Sequence, residues 1–166
     1  VRKATKIPFI VHPLEVFGIV SRMTNEEEVL AAAVLHDTVE DCECVSIQEI
    51  QNTFGEKVAY YVGEESEDKS KTWTERKQAT IDHLPHACYQ VKMIALADKL
   101  SNIRAIKRDY EELGEALWQR FNMKNKERIG WYYQSIAKSL SELSDKKEYI
   151  EYVSIVEEVF GRIKES

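Results

Sequence analysis

Along nearly the whole chain, apolar residues recur at intervals of three and four, the spacing that gives a helix one buried stripe. That periodicity predicts an all-α fold in a single domain over residues 1–166. Six glycines and three prolines among 166 residues supply few turns, which disfavours a sandwich or barrel of short strands. Pro13 is placed to open a first helix, whose face continues through Leu14, Phe17 and Val20 towards Met23. Asn25 can cap a second, with Glu26, Glu27 and Glu28 in the first turn and Val29, Leu30, Ala33 and Val34 facing inwards. Ser46 and Glu49 form a capping box for a short helix to Phe54, which Gly55 ends. Further helices are predicted over 56–65, 73–84 (ended by Pro85), 89–107, 110–121, 124–143 and 146–163, with a polar loop over 64–74.

The balance of 43% hydrophobic and 31% charged residues is that of a globular chain with a sizeable core. A net charge of −6 disfavours binding nucleic acid through a broad basic surface. The longest apolar runs, 29–35 and 93–97, fall far short of the ~20 residues that cross a bilayer. No secretory leader is expected at the start, where the basic residues 1–6 precede an apolar run interrupted by His12-Pro13. The three cysteines are odd in number and include no Cys-x-x-Cys pair, which fits reduced thiols in the cytoplasm. A zinc cluster of Cys42, Cys44, His86 and Cys88 is disfavoured because Cys-x-Cys is an unusual structural spacing.

Three places break the rules of helix design. The second helix is predicted to end in His36-Asp37-Thr38-Val39-Glu40-Asp41, piling carboxylates on a negative helix end. A solvated end is the plain reading; the sharper one is a divalent cation, since imidazole and carboxylate suit Mn, Fe, Zn or Co. Asp98 interrupts the apolar run of 93–100, a costly position unless the carboxylate is paired or metal-bound. Pairing with Lys99 is not expected, because neighbours on a helix point about 100° apart. His12 lies in apolar company at a helix entry, where a satisfied buried imidazole is the ordinary outcome. Together these anomalies supply two imidazoles and two carboxylates, a plausible first shell with room for water. By contrast, His83 and His86 read as surface residues, and Trp131 and Tyr132 as core.

These residues carry a resemblance. His12, the string His36-Asp37-Thr38-Val39-Glu40-Asp41 and Asp98 resemble the HD superfamily of metal-dependent phosphohydrolases. The longer strings 5–14, 36–41 and 96–102 are similar to the hydrolase domain of RelA/SpoT homologues, over roughly residues 2–140. The resemblance implies an HD-domain helical bundle. It implies removal of the 3′-pyrophosphate from (p)ppGpp to leave GDP or GTP, by a stand-alone small alarmone hydrolase. By position, His12, His36, Asp37 and Asp98 would hold one metal, usually Mn²⁺ in this family, with Glu40 and Asp41 as catalytic carboxylates. Arg2 would stack on guanine, Lys3 would face the substrate, and Asn102 would contact the nucleotide. Lys71, Arg76, Lys77, Lys126 and Arg128, with Lys124, are the further cations available to a polyanionic substrate.

Two departures stand out: family members carry a helix before the Arg-Lys pair, and this numbering begins after it. The loop 63–69 is also more acidic than expected beside a polyphosphate. Two other readings remain open: an HD phosphohydrolase for another nucleotide, such as a nucleoside phosphate or NADPH, and a non-catalytic module that binds alarmone or metal.

Overall fold

The computed structural model describes residues 8–163, and among them the regular structure is helical throughout, without strands. In chain order the α-helices are α1 (Val11–Val20), α2 (Glu27–Leu35), α3 (Thr38–Asp41), α4 (Ile47–Phe54), α5 (Glu56–Glu65), α6 (Trp73–His83), α7 (Tyr89–Leu113), α8 (Lys126–Ser139) and α9 (Lys147–Phe160). Short 3₁₀ turns follow α6, α7 and α8.

α7 is the axis of the molecule, with α9 and α1 as its principal neighbours and α2 and α5 also against it. Residues 91–98 are buried without interruption, as expected of a helix covered on every side. Leu96 and Leu100 are wholly buried. Truncating either to alanine would cost about 2–5 kcal/mol through lost burial and the cavity left behind. α1, α2 and α5 close one side of this axis, and α8 packs on α9 and α6. The buried side chains form one contiguous core from Val16 to Val159.

The capping signals operate locally. Ser46 and Glu49 form the predicted box at α4, and Thr72 with Glu75 forms a second at α6. Asn25 does not cap α2: the cap position is Glu26, whose N–H donates to the Thr24 hydroxyl. The boundary expected near 107–110 does not exist. α7 runs on to Leu113 and stops at Gly114, whose φ of 57° lies where side chains are strained. The next seven residues, predicted as α-helix, wind as a 3₁₀ turn instead. The helix predicted over 124–143 is α8, followed by a separate 3₁₀ turn at Ser141–Leu143.

Candidate active site

α2 ends at Leu35, just before the motif, so Asp37 lies past that end and Glu40 and Asp41 close the short α3 instead of α2 as the sequence suggested. The chain turns at His36 and starts the short α3, with Asp37 in its N-cap position. The Thr38 hydroxyl donates to the Leu35 carbonyl, satisfying the end of α2. The Asp37 carboxylate makes no cap bond to α3 and lies instead beside two imidazoles, with Oδ2 3.3 Å from His36 Nε2 and 3.5 Å from His12 Nε2. Asp98 comes to the same point from α7, its Oδ1 3.0 Å from His12 Nε2 and 3.7 Å from His36 Nε2. Ligand atoms of His12, His36 and Asp98 all lie within 4.8 Å of one another, and all three residues are buried.

Hydrogen bonds on the far side of each ring fix what faces inwards. His36 Nδ1 is 2.8 Å from the Ala33 carbonyl, which only accepts, so Nδ1 carries a proton. The Ser101 hydroxyl donates to Glu15 at 2.8 Å, so its oxygen accepts from His12 Nδ1 at 2.9 Å. Each neutral ring then presents a lone pair at Nε2, towards the oxygens of Asp37 and Asp98. His36 Nε2 is buried and lacks a hydrogen-bond partner. A cluster of acceptors alone is repulsive unless a cation sits among them. When protons are the only cations, burial opposes the charged ring, but Asp37 and Asp98 outweigh it and push the His36 pKa to about 11. This donor set of nitrogen and carboxylate oxygen, each imidazole oriented from behind, fits a divalent metal.

Behind His12 the support continues. Glu15 accepts from Arg104 Nη1 at 3.1 Å, and Arg104 grips Glu151 of α9 through Nε at 2.7 Å and Nη2 at 2.8 Å. Three helices thus brace one imidazole.

Lys99 departs from expectation. Its long stem curls back so that its ammonium meets Asp98 Oδ2, an ion pair that the 100° offset between neighbours seemed to forbid. Burial disfavours both charges, but the Lys99 ammonium and the two imidazoles hold Asp98 well below the usual carboxylate range. Asn102 lies one turn on and donates to Asp98 Oδ1 at 2.7 Å.

The cluster lies in a cleft of about 730 Å³. Glu40, Asp41, Arg76, Lys77 and Asn102 line it, as do Glu65, Glu67, Lys99, Arg108, Phe121 and Tyr133, which sequence reasoning did not assign. Glu40 Oε1 accepts from the Glu67 backbone N–H at 2.6 Å, and Lys69 reaches the Glu40 carbonyl. Burial raises the Glu40 pKa, with the Glu67 N–H opposing. Burial likewise lifts Glu65 to about 7, its Oε1 buried without a partner.

The remaining predicted cations are elsewhere. Lys71 is exposed beside Asp68, and Lys126 is bound to Glu115 and Tyr110. Arg128 donates to the Thr74 hydroxyl. None of these three lines the cleft; Lys71 borders an adjoining pocket that shares Glu65, Glu67, Arg76 and Lys99 with it. Arg2 and Lys3 lie outside the described residues. His83 and His86 are exposed as expected, and all three cysteines are free, with Cys42 and Cys44 exposed. No helix among the described residues is long and apolar enough to cross a membrane.

Comparison with known proteins bears on the family and the fold. A Danio rerio protein named guanosine-3′,5′-bis(diphosphate) 3′-pyrophosphohydrolase MESH1 is 41% identical over 103 residues, which are 61% of this chain and 57% of that protein. The chain therefore spans little more than half the length of such curated relatives. The crystal structure of a Listeria monocytogenes EGD-e protein superposes with a TM-score of 0.83 at 32% identity, covering 91% of this chain and 99% of that one. A structure described as a metazoan ortholog of SpoT that hydrolyzes ppGpp gives a TM-score of 0.72 at 26% identity, covering 96% of this chain and 83% of that one. The family model described as HD domain matches residues 1–125, three quarters of the chain, and includes every member of the buried cluster. With His36-Asp37 as the dipeptide at its centre, the chain belongs to the HD domain family.

Proposed function

We propose that this chain, as a single HD-type domain over 1–166, hydrolyses (p)ppGpp at its 3′-pyrophosphate, yielding GDP or GTP and pyrophosphate, with Mn²⁺ as the working metal. The observation that carries the reading is the convergence of two imidazole lone pairs and two carboxylates at the floor of a cleft that also holds Glu40, Arg76 and Lys77. Relatives named as (p)ppGpp hydrolases support the substrate.

His12, His36, Asp37 and Asp98 would hold the metal, which when bound acidifies water and offsets charge on the phosphoryl oxygens. Glu40 is the proton acceptor for the attacking water: it lines the cleft, and its raised pKa brings it towards neutrality. Asp41, more exposed on the same turn, relays that proton to solvent or to the departing ribose oxygen. Hydroxide adds to the phosphorus attached to the ribose 3′-oxygen, that P–O bond breaks, and the 3′-oxygen takes up a proton. Asn102 orients Asp98 and the nucleotide, while Arg76 and Lys77 receive the phosphates. Arg2 and Lys3 complete this reading at the base. Lys71, Lys126 and Arg128 have no part in it, since they do not reach the cleft. The free thiols support action in the cytoplasm, and the net charge of −6 supports a small-molecule partner in place of a nucleic acid.

The test is pyrophosphate release from guanosine 3′,5′-bis(diphosphate), with Mn²⁺ and with chelator. Release that requires Mn²⁺ and leaves GDP is expected. Metal-loaded protein that binds the nucleotide without releasing pyrophosphate would make the chain a sensor, and release only from another nucleotide would change the substrate.

A further inference from the structure

Arg76 and Lys77, the two cations that α6 sends into the cleft, are already neutralised from within. Glu67, in the loop between α5 and α6, bridges them: Arg76 Nη1 donates to Oε2 at 3.0 Å and Lys77 Nζ to Oε1 at 2.6 Å. All three side chains are largely buried, Glu67 being only 13% exposed. Lys77 also lies over the Tyr132 ring, 4.9 Å from its centroid, which fixes its direction. The pairing leaves donor capacity unspent, because Arg76 Nε is buried with no hydrogen-bond partner. A carboxylate has two oxygens to offer; a terminal phosphate has three and more charge.

We propose that Glu67 is a tethered counter-anion that occupies the seat of a substrate phosphate, so that only a ligand with a multiply charged phosphate group displaces it. This rests on the phosphoryl-ester reading of the cleft, but not on which nucleotide is the substrate. Held on the same chain, the Glu67 carboxylate competes at high effective concentration. A singly charged ligand gains too little from Arg76 and Lys77 to win. A dianionic phosphate or a pyrophosphate gains more from the two cations. The Glu67 backbone N–H meanwhile holds Glu40, and that bond does not depend on the side chain. Glu67 is thus a specificity-determining residue whose side chain sets a charge threshold. The acidic loop, at odds with a polyanionic substrate on sequence grounds, has a place in recognising one.

The test is calorimetric titration of inorganic pyrophosphate into the full chain, with added Mn²⁺ and with chelator. Glu67→Gln, which keeps the shape and loses the charge, is expected to bind pyrophosphate about tenfold more tightly than wild type in both conditions. Asp68→Asn, equal in charge change but on an exposed carboxylate beside Lys71, is expected to stay within about twofold. Unchanged or weaker binding by Glu67→Gln overturns the proposal, as does an equal gain by Asp68→Asn, which would mean a general charge effect. Should Glu67→Gln not fold, Glu67→Asp, too short to bridge both cations, is expected to show a smaller gain in the same direction, and no gain overturns the proposal. Tighter pyrophosphate binding in a protein inactive on (p)ppGpp would support the role of Glu67 while removing that substrate.

Discussion

Replacing Ser101 with alanine tests whether the support behind His12 governs metal binding. Ser101 is wholly buried, so no solvent can take over its two bonds, one accepted from His12 Nδ1 at 2.9 Å and one donated to Glu15 at 2.8 Å. Leaving the imidazole N–H unpaired in that place costs about 1–3 kcal/mol. Part of that falls on the fold. The part that bears on metal arises because the ring is no longer held with its Nε2 lone pair inwards: it can rotate, or exchange tautomers so that a proton occupies the ligand position. Loss of such an outer partner costs about 10- to 100-fold in metal affinity, or about 1.4–2.7 kcal/mol. Mn²⁺ affinity of Ser101→Ala, read by electron paramagnetic resonance of free Mn²⁺, is expected to fall by that factor. Melting of chelator-treated protein should show a loss of no more than about 3 kcal/mol. Ser101→Thr keeps the hydroxyl and should recover most of the affinity, less the cost of an added methyl in a closed site. Affinity within twofold of wild type in Ser101→Ala would refute the reasoning, since the ring would then be oriented by something else.

Four further outcomes are expected. Asp98→Ala should lose metal and turnover together, whereas Glu40→Gln should keep the metal within about threefold and lose turnover by ~100-fold or more, read by metal binding beside pyrophosphate release. A near-normal rate in Glu40→Gln would remove it as proton acceptor. Glu65, lifted to about 7 mainly by burial, holds its proton more tightly folded than unfolded. Its contribution is therefore complete below the unfolded value near 4.5 and is lost as pH rises to about 7. In chelator-treated protein Glu65→Gln should match wild type at low pH and exceed its stability above pH 7 by about 1–3 kcal/mol, as denaturant melts at several pH values would show. Gly114→Ala, placed at φ 57° and ψ −141°, should destabilise by about 1–3 kcal/mol in the same melts.

The helices were legible where local chemistry decides them. Ser46 and Glu49 mark α4 because the box is made within four residues, and the dense apolar run at 93–97 marks the part of α7 that is buried on all sides. The buried group of His12, His36 and Asp98 was legible because Asp98 interrupts an apolar run, His12 lies among aliphatics and His36 opens a string of carboxylates. What escaped depends on distances that spacing does not report. A four-carbon stem lets Lys99 reach back to its own neighbour, and no pattern shows that. Ser101 and Glu15 look like ordinary polar residues until α1 and α7 are side by side. Arg76 and Lys77 could be proposed as phosphate contacts from charge alone, but Glu67 between them could not, because the loop that carries it has no period. Lys126 and Arg128, chosen on charge alone, do not line the cleft, because charge without placement says nothing about direction.

The brace on His12 ends on α9, through Arg104 and the paired oxygens of Glu151. The family match ends at residue 125, before α8 and α9 begin. The stretch that identifies the chain is therefore shorter than the stretch that packs into its core. Cutting at the boundary of recognition would uncover the side of α7 that packs on α9 and unhook the far end of the support behind His12. Substitutions around residue 151, far along the chain from any motif, would then be felt at the His12 imidazole, so variation in the unmatched tail belongs in any account of how the buried cluster is held.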